Sequence, residues 1–288
     1  MLNTSSCTDF SNCCIGCGMY DIPNWDFSAA LNMNYFARGA NNITNVSIAI
    51  GNASTADCMF SSCPNLTEAL IYGYRLNSVK YLFDNDENLK MASLDLSDAT
   101  QTINLYRAFD HCSNLEEVNL WNFDNVYVEN LEFTWHKCSK LTEIPDINVS
   151  PDNLNPTSIS IAFNDTSLVK FPKLNGYVKF TETFHPEEII CETVQEIPKY
   201  NVSSVEDQEG LAFRTPNLTT LGGFAGIDKS LDFKECPLLT RESVLNVFNN
   251  LAQSNATIYL HKNTYTKLSE DDIAIAVNRG WTVQKATN

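Results

Sequence analysis

Apolar residues along the chain recur in a short, regular figure rather than in long runs. Three segments set it: Cys63-Pro-Asn-Leu66-Thr-Glu-Ala, Cys112-Ser-Asn-Leu115-Glu-Glu-Val and Cys138-Ser-Lys-Leu141-Thr-Glu-Ile. Taking the apolar residue three past the cysteine as an anchor, weaker copies follow at Ile43, Leu89, Leu168, Val194, Leu218 and Leu239. Successive anchors stand 23, 23, 26, 26, 27, 26, 24 and 21 residues apart. That spacing suits small strand-and-turn units that stack one on the next. After the anchor the next apolar residue comes at +3 and often another at +5, as in Ile43/Val46/Ile48, Leu89/Ala92/Leu94 and Leu115/Val118/Leu120. An apolar pair split by one polar residue is strand alternation with the pair facing inward. One short strand cannot bury a face alone, so the copies are expected to form a parallel sheet backed by a continuous apolar ladder. Each buried Leu, Val or Ile there contributes about 1.5–3 kcal/mol.

An aromatic stands six residues before most anchors, at Phe60, Phe83, Phe109, Trp135 and Phe233, and five before at Phe163 and Phe213. These read as plugs of the convex turns. Cys63, Cys112, Cys138, Cys191 and Cys236 share one slot, three before the anchor, where Asp86, Asp165 and Thr215 stand in other copies. A small buried side chain at a tight turn explains that set. Neighbouring copies would bring Cys112 and Cys138 within about 4.8 Å, one strand spacing, which permits a disulfide without requiring it.

The ends differ from the middle. Thr240 is an N-cap candidate for the helix RESVLNVFNNLA, with Val244, Leu245, Phe248 and Leu251 at helical spacing. Thr257–Leu260 follows as a strand, Ser269 and Asp272 open a second helix with Ile273, Ala276 and Val277 on one face, and residues 281–283 form a last strand after Gly280. The division expected is 1–24 as a Cys-rich cap or attachment arm, 25–240 as repeats and 241–288 as a helix–strand cap. Within the first segment Cys7, Cys13, Cys14 and Cys17 offer four thiols, the number a tetrahedral zinc needs. Their C-x5-C-C-x2-C spacing is not two C-x2-C knuckles, so free or paired thiols are the reading taken and no cofactor is expected.

Charge narrows the partners. Nineteen Lys plus Arg against 35 Asp plus Glu give a net charge of −16, which would repel phosphate backbones and anionic membranes. Nucleic acid is not expected as a partner, and no run approaches the roughly 18 apolar residues of a membrane span. The opening MLNTSSCTDF has no basic segment or apolar run, so no secretory leader is expected and the thiols are expected reduced, buried or metal-bound rather than oxidised by default.

The turns Phe109-Asp-His-Cys112-Ser-Asn-Leu115 through Leu120-Trp-Asn-Phe123, Phe133-Thr-Trp-His-Lys-Cys138-Ser-Lys-Leu141, Cys58-Met-Phe60-Ser-Ser-Cys63-Pro-Asn-Leu66 and Leu94-Asp-Leu-Ser97 resemble BspA-like leucine-rich repeats. The likeness covers about residues 25–240, and the ending LTRESVLNVFNNLA to RGWTV is similar to C-terminal ends of such proteins from gut bacteria and their tailed phages. The resemblance implies an α/β solenoid: a parallel sheet on one face, a mostly irregular or short-helical convex side, and a helical C-terminal cap. It also implies a non-enzymatic scaffold that binds virion or host-surface proteins, or surface glycans. The setting it favours is a phage virion, as a tail or capsid appendage made in the host cytoplasm with a role in host recognition. A bacterial cell-surface adhesin is the alternative.

Residues between the inward positions of each strand face outward. Two past the anchor stand Asn45, Glu68, Met91, Glu117, Glu143, Lys170, Glu196, Thr220 and Arg241. Glu117 and Glu143 are expected on adjacent strands, where carboxylates about 5 Å apart repel and a basic partner would relieve them. The binding face expected, on the concave side of the sheet, is Glu68, Glu117, Asn119, Trp121, Glu143 and Glu196, with Tyr72 as a further aromatic. The histidines are His111, His136, His185 and His261. His111 and His136 precede slot cysteines by one and two residues, where a Cys–His pair is conceivable, yet no Gly-rich oxyanion segment, phosphate loop or H-E-x-x-H accompanies them, so catalysis is not expected.

Overall fold

The computed structural model describes residues 3–96, 102–181 and 187–287; Ser97 and His185 lie outside them. It consists mostly of parallel β-strands with few helices, and it divides into two compact units, 1–148 and 149–288.

In the first unit, strands β1 (Asn45–Ala49), β2 (Glu68–Tyr72) and β3 (Met91–Asp95) pair in parallel. After β4 (Thr102–Asn104), strand β5 (Glu117–Trp121) extends that sheet beside β3. The register is unbroken: Val46, Ala69, Ala92 and Val118 form one inward row, and Ile48, Ile71, Leu94 and Leu120 the next. All are buried except Leu120, which is half-buried. Every anchor from Ile43 to Leu141 is buried, as are those from Leu168 to Leu239 within the second unit. A second parallel line runs through single bridges Asp9–Asn32–Thr55–Ser78–Asn104, and β4 pairs with β6 (Tyr127–Asn130). Each copy therefore holds two extended pieces where the hydrophobic pattern shows one.

The expected strand through Glu143 is absent: residues 141–146 have no regular structure. Pro145 stands where β5 has Asn119, and its missing N–H removes a donor from any ladder there.

Between the extended pieces lie tight turns built to one plan. In the turn at 105–112, alternate amides bond inside the turn: Ala108 N–H to Leu105 O, Asp110 to Arg107 and Cys112 to Phe109. The intervening amides of Arg107, Phe109 and His111 donate to the next turn, at Glu132, Thr134 and His136, over 2.9–3.0 Å. This alternation forces left-handed backbone at two places per turn, four residues apart: 35/39, 58/62, 81/85, 107/111 and 133/137. Residues 12 and 16 have the same conformation, and Asn12, Cys14 and Gly16 donate to Asn34, Phe36 and Arg38. The Cys-rich opening thus contains a turn of the same plan, with Cys17 in its slot.

The plugs stack within this column. Phe60 lies 6.2 Å from Phe83, Phe83 5.7 Å from Phe109, and Phe109 6.3 Å from Trp135, with interplanar angles of 5–27°. The slot cysteines are free and buried, their Sγ donating to the preceding turn: Cys63 to Ala37 O, Cys112 to Phe83 O and Cys138 to Phe109 O. Asp86 in this slot accepts the Cys63 amide at 2.6 Å, while its other oxygen is buried without a hydrogen bond.

In the second unit one turn keeps the plan, with left-handed Ile161 and Asp165 around Phe163. The slot there is Thr166, not Asp165, because the shortening falls between slot and anchor; the Thr166 hydroxyl bonds to Phe163 O at 2.8 Å. Beyond it the plugs change backbone. Phe213 and Phe233 sit on strands of a parallel sheet formed by residues 187–190, 211–214, 231–233, 257–260 and 282–285. A second ladder joins 157–158, 177–180, 200–205 and 224–225.

Helix α1 (Arg241–Asn250) begins at Thr240, whose hydroxyl accepts the Ser243 amide. Its buried side is Ser243, Val244, Val247 and Phe248, so Leu245 of the expected face is only half-buried. A short α2 (Lys262–Tyr265) precedes α3 (Glu270–Val277), which opens with the expected capping box of Ser269 and Asp272. Val277 is exposed, and Ala276 alone of the expected face is fully buried. Arg241 grips Asp272 through Nε and Nη2 at 2.8 and 2.6 Å, tying α1 to α3.

Candidate functional site

The outward face of the first-unit sheet carries three cross-strand rows. Glu68, Met91 and Glu117 form one; Leu70, Ser93 and Asn119 the second; Tyr72, Asp95 and Trp121 the third. Glu68 and Glu117 are exposed, but Met91 separates them, so the acids do not form a continuous ribbon. Asn119 Nδ2 donates to Glu117 Oε1 at 2.7 Å, and Asn122 Nδ2 to Asp95 Oδ1 at 2.6 Å. Trp121 is 43% exposed at the edge of this face. Glu143 is exposed on the irregular stretch, so the expected Glu117–Glu143 stacking on paired strands does not occur. Glu196, in the second unit, lies 2.7 Å from Lys170 Nζ, and the ion pair offsets its charge. The structure therefore gathers Glu68, Glu117, Asn119 and Trp121 on one sheet, and places Glu143 and Glu196 in different settings.

Hollows accompany the sheets in both units. A cleft of about 630 Å³ in the first unit is lined by Trp25 and Tyr74 with Asn24, Asp26, Ser47 and Asn52. In the second unit a shallow groove runs past Arg214, Asp232, Lys234 and Tyr259, the Lys234 ammonium sitting 4.3 Å from the Tyr259 ring centre.

Compared with known proteins, the chain matches no family model, no curated protein and no solved structure. Its chemistry is therefore read from its own side chains.

The densest chemistry lies on the turn column, where reading along the sequence weighed His111 and His136 beside the slot cysteines but passed over Asp110. Asp110 is fully buried. Its Oδ1 is 2.8 Å from His136 Nδ1, in a hydrogen bond, and 2.8 Å from His111 Nδ1, where the direction does not suit one. Its Oδ2 accepts from Arg107 Nη1 at 3.0 Å. The Arg107 guanidinium lies 4.1 Å from the Phe133 ring centre and is flanked by Tyr106 and Tyr81. Asp110 and His136 occupy the same place in successive turns, two before the slot, and His111 and Lys137 the place one before it. Aligning the copies column by column carries that signal; reading each turn singly does not.

The neighbouring thiols are not poised as nucleophiles. Burial raises Cys112 and Cys138 well above an ordinary thiol, and both Sγ atoms point to backbone carbonyls rather than to an imidazole. At the N-terminus burial pushes Cys14 up to about 11. Cys7, Cys13, Cys14 and Cys17 do not converge: among the described residues the one group of three His, Cys, Asp or Glu ligand atoms within 4.8 Å of one another is Asp110, His111 and His136. Among those residues, too, no helix is long and apolar enough to cross a membrane. His261 caps α2, its Nδ1 accepting the Asn263 amide.

Proposed function

We propose that the chain is a leucine-rich-repeat module of the BspA-like kind, a solenoid whose outward sheet face binds another protein. The observation that carries this reading is the parallel register of β2, β3 and β5, which holds Tyr72 and Trp121 on either side of Asp95 and Glu117 beside Asn119. A sheet fixed by backbone bonds presents those groups with little freedom left to lose, so binding costs little ordering entropy. An exposed tryptophan is the residue type that most often dominates an interface. The acidic groups suit a partner with basic side chains at that contact. The setting we propose is a phage virion, as a tail or capsid appendage that meets a host surface; its support is the likeness of the turns and the C-terminal segment to repeats of that kind.

A photo-cross-linking residue in place of Asn119, used in purified particles, tests the reading. Capture of a virion or host-surface protein that is lost on Trp121→Ala and weakened by Glu117→Lys supports it. Capture unchanged by both substitutions, or absence of the chain from particles, removes it.

One observation favours a second reading, a surface adhesin that binds glycans. The Trp25–Tyr74 cleft combines aromatic walls with Asn24, Asp26, Ser47 and Asn52, the mixture by which small polar ligands are oriented. Glycan binding abolished by Trp25→Ala and indifferent to Trp121→Ala would favour it over the first.

A further inference from the structure

We propose that Asp110, His111 and His136 form a binding site for a zinc-class divalent ion that staples two successive turns together. Asp110 and His111 belong to one turn and His136 to the next, and the amide of His111 bonds to the carbonyl of His136 at 2.9 Å, fixing the two turns in register. The site stands apart from the outward sheet face and does not rest on the reading given for it.

Three features carry the inference. First, the donors are two imidazole nitrogens and one carboxylate oxygen, a set suited to zinc and other late first-row ions. Second, the geometry converges. Both Nδ1 atoms lie 2.8 Å from Asp110 Oδ1 and the two rings meet at 89° with centres 5.3 Å apart. Around a tetrahedral ion these atoms would stand about 3.4 Å apart, given metal–ligand bonds near 2.1 Å. A small outward turn of the half-buried rings reaches that spacing. Third, His111 Nδ1 is a buried polar atom facing a carboxylate oxygen with no hydrogen bond to account for the approach. Because the Lys137 ammonium can only donate to Nε2, the Nδ1 proton of the neutral ring faces this carboxylate without forming a bond, and a cation in place of that proton would engage both atoms.

The surroundings complete the arrangement. Arg107 holds Asp110 Oδ2 and so orients Oδ1, as an outer partner does for a ligating carboxylate. Lys137 Nζ sits 3.1 Å from His111 Nε2. Ligation through Nδ1 leaves a proton on Nε2, which faces the ammonium, so this exposed lysine turns into solvent when the ion binds. Three protein ligands leave a fourth position for water.

The test titrates the chelator-treated full chain with Co²⁺ as a spectroscopic stand-in for Zn²⁺, then repeats the titration with variants. One equivalent is expected to bind without a thiolate-to-cobalt charge-transfer band, and Zn²⁺ is expected to raise the melting temperature. His136→Gln and His111→Gln, checked for native circular dichroism, should each weaken binding by about tenfold or more and abolish the thermal shift. His111 is the more exposed, so its variant keeps the test decisive if His136→Gln fails to fold. Lys137→Gln should tighten binding by removing the competing ammonium. Changing Cys7, Cys13, Cys14 and Cys17 to Ser should leave the titration unaltered. No binding at micromolar metal, equal affinity in His111→Gln, or loss of the ion with the four cysteines would overturn the proposal.

Discussion

The same sequence position carries an aromatic plug in both units, on two different backbones. At Phe60, Phe83, Phe109 and Trp135 the plug sits in a tight turn between two left-handed residues, and its amide bonds forward where the next turn lies in the same unit. At Phe213 and Phe233 it sits in a parallel strand, where the rings stack at 4.5 Å with an interplanar angle of 23°. Both solutions bury the ring. What the repeat specifies is therefore a side chain at a given depth in the layer, and the local residues decide which backbone delivers it.

The local residues differ in an intelligible way. A left-handed conformation costs a non-glycine residue about 1–2 kcal/mol, and the first unit accepts that cost at Tyr81, Arg107 and Phe133. There the side chains recover it: Tyr81 packs on Tyr106, and Arg107 stacks on Phe133. The 231–233 segment LDF alternates buried and half-buried residues, the 211–214 segment LAFR is a short apolar run, and both pair as strands. At its far end the second unit closes with helices α1 and α3 in place of turns.

Substitutions can break this comparison, and the largest effect is expected at the plugs. Trp135→Ala should cost about 3–5 kcal/mol by denaturant unfolding, and Phe233→Ala a similar amount, if depth rather than backbone matters. A much smaller loss at Trp135 would mean that the turn, not the ring, supports the column.

Next comes Asp86. Burial pushes its carboxyl well above the usual carboxylate range. Because the folded state binds this proton more tightly than the unfolded chain, whose value is 3.8, the stability contribution is present below that pH and is lost as pH rises toward the folded value. Asp86→Cys, the side chain of neighbouring slots, should stabilise the protein at pH 7 by about 1–3 kcal/mol and flatten the pH dependence above 4. A destabilised variant would show that the bond to the Cys63 amide outweighs the buried acid.

Smaller effects sharpen the helical side. Thr240→Ala should cost about 1 kcal/mol through the lost cap. Asp272 has the opposite sign from Asp86: Arg241 and the Ser269 amide hold its carboxyl down to about 2. Its contribution is present above pH 3.8 and fades as pH falls through about 2, and Arg241→Ala should weaken that acid dependence in the 149–288 unit, leaving the part due to Ser269. Last, Ser62→Gly relieves a left-handed residue at φ 61° and should stabilise by about 0.5 kcal/mol, a gain without counterpart among the strand-borne plugs.

Much of this was legible from residue types. Leu66, Leu89, Leu115 and Leu141 are buried where the spacing puts them, and Thr240 and Ser269 cap the helices as expected. Other features were not. Glu143 lost its strand to Pro145, one imino acid overriding the apolar spacing around it. The turn at 12–17 escaped notice because no apolar anchor follows Cys17; Tyr20 stands there, 71% exposed. The Asp110–His111–His136 group escaped because its members lie 25 and 26 residues apart and meet only through the register of two turns. Stacking turns into columns is a property of backbone bonding, and single-residue patterns do not express it.

Residue-resolved hydrogen exchange tests the central claim, that the turns of the first unit are bonded copy to copy. The amides of Arg107, Phe109 and His111 should be protected to a common free energy and should open together when Trp135→Ala loosens the turn that accepts them. Exchange of these three at the rates of an unstructured peptide, or protection of Phe109 alone, would contradict the account.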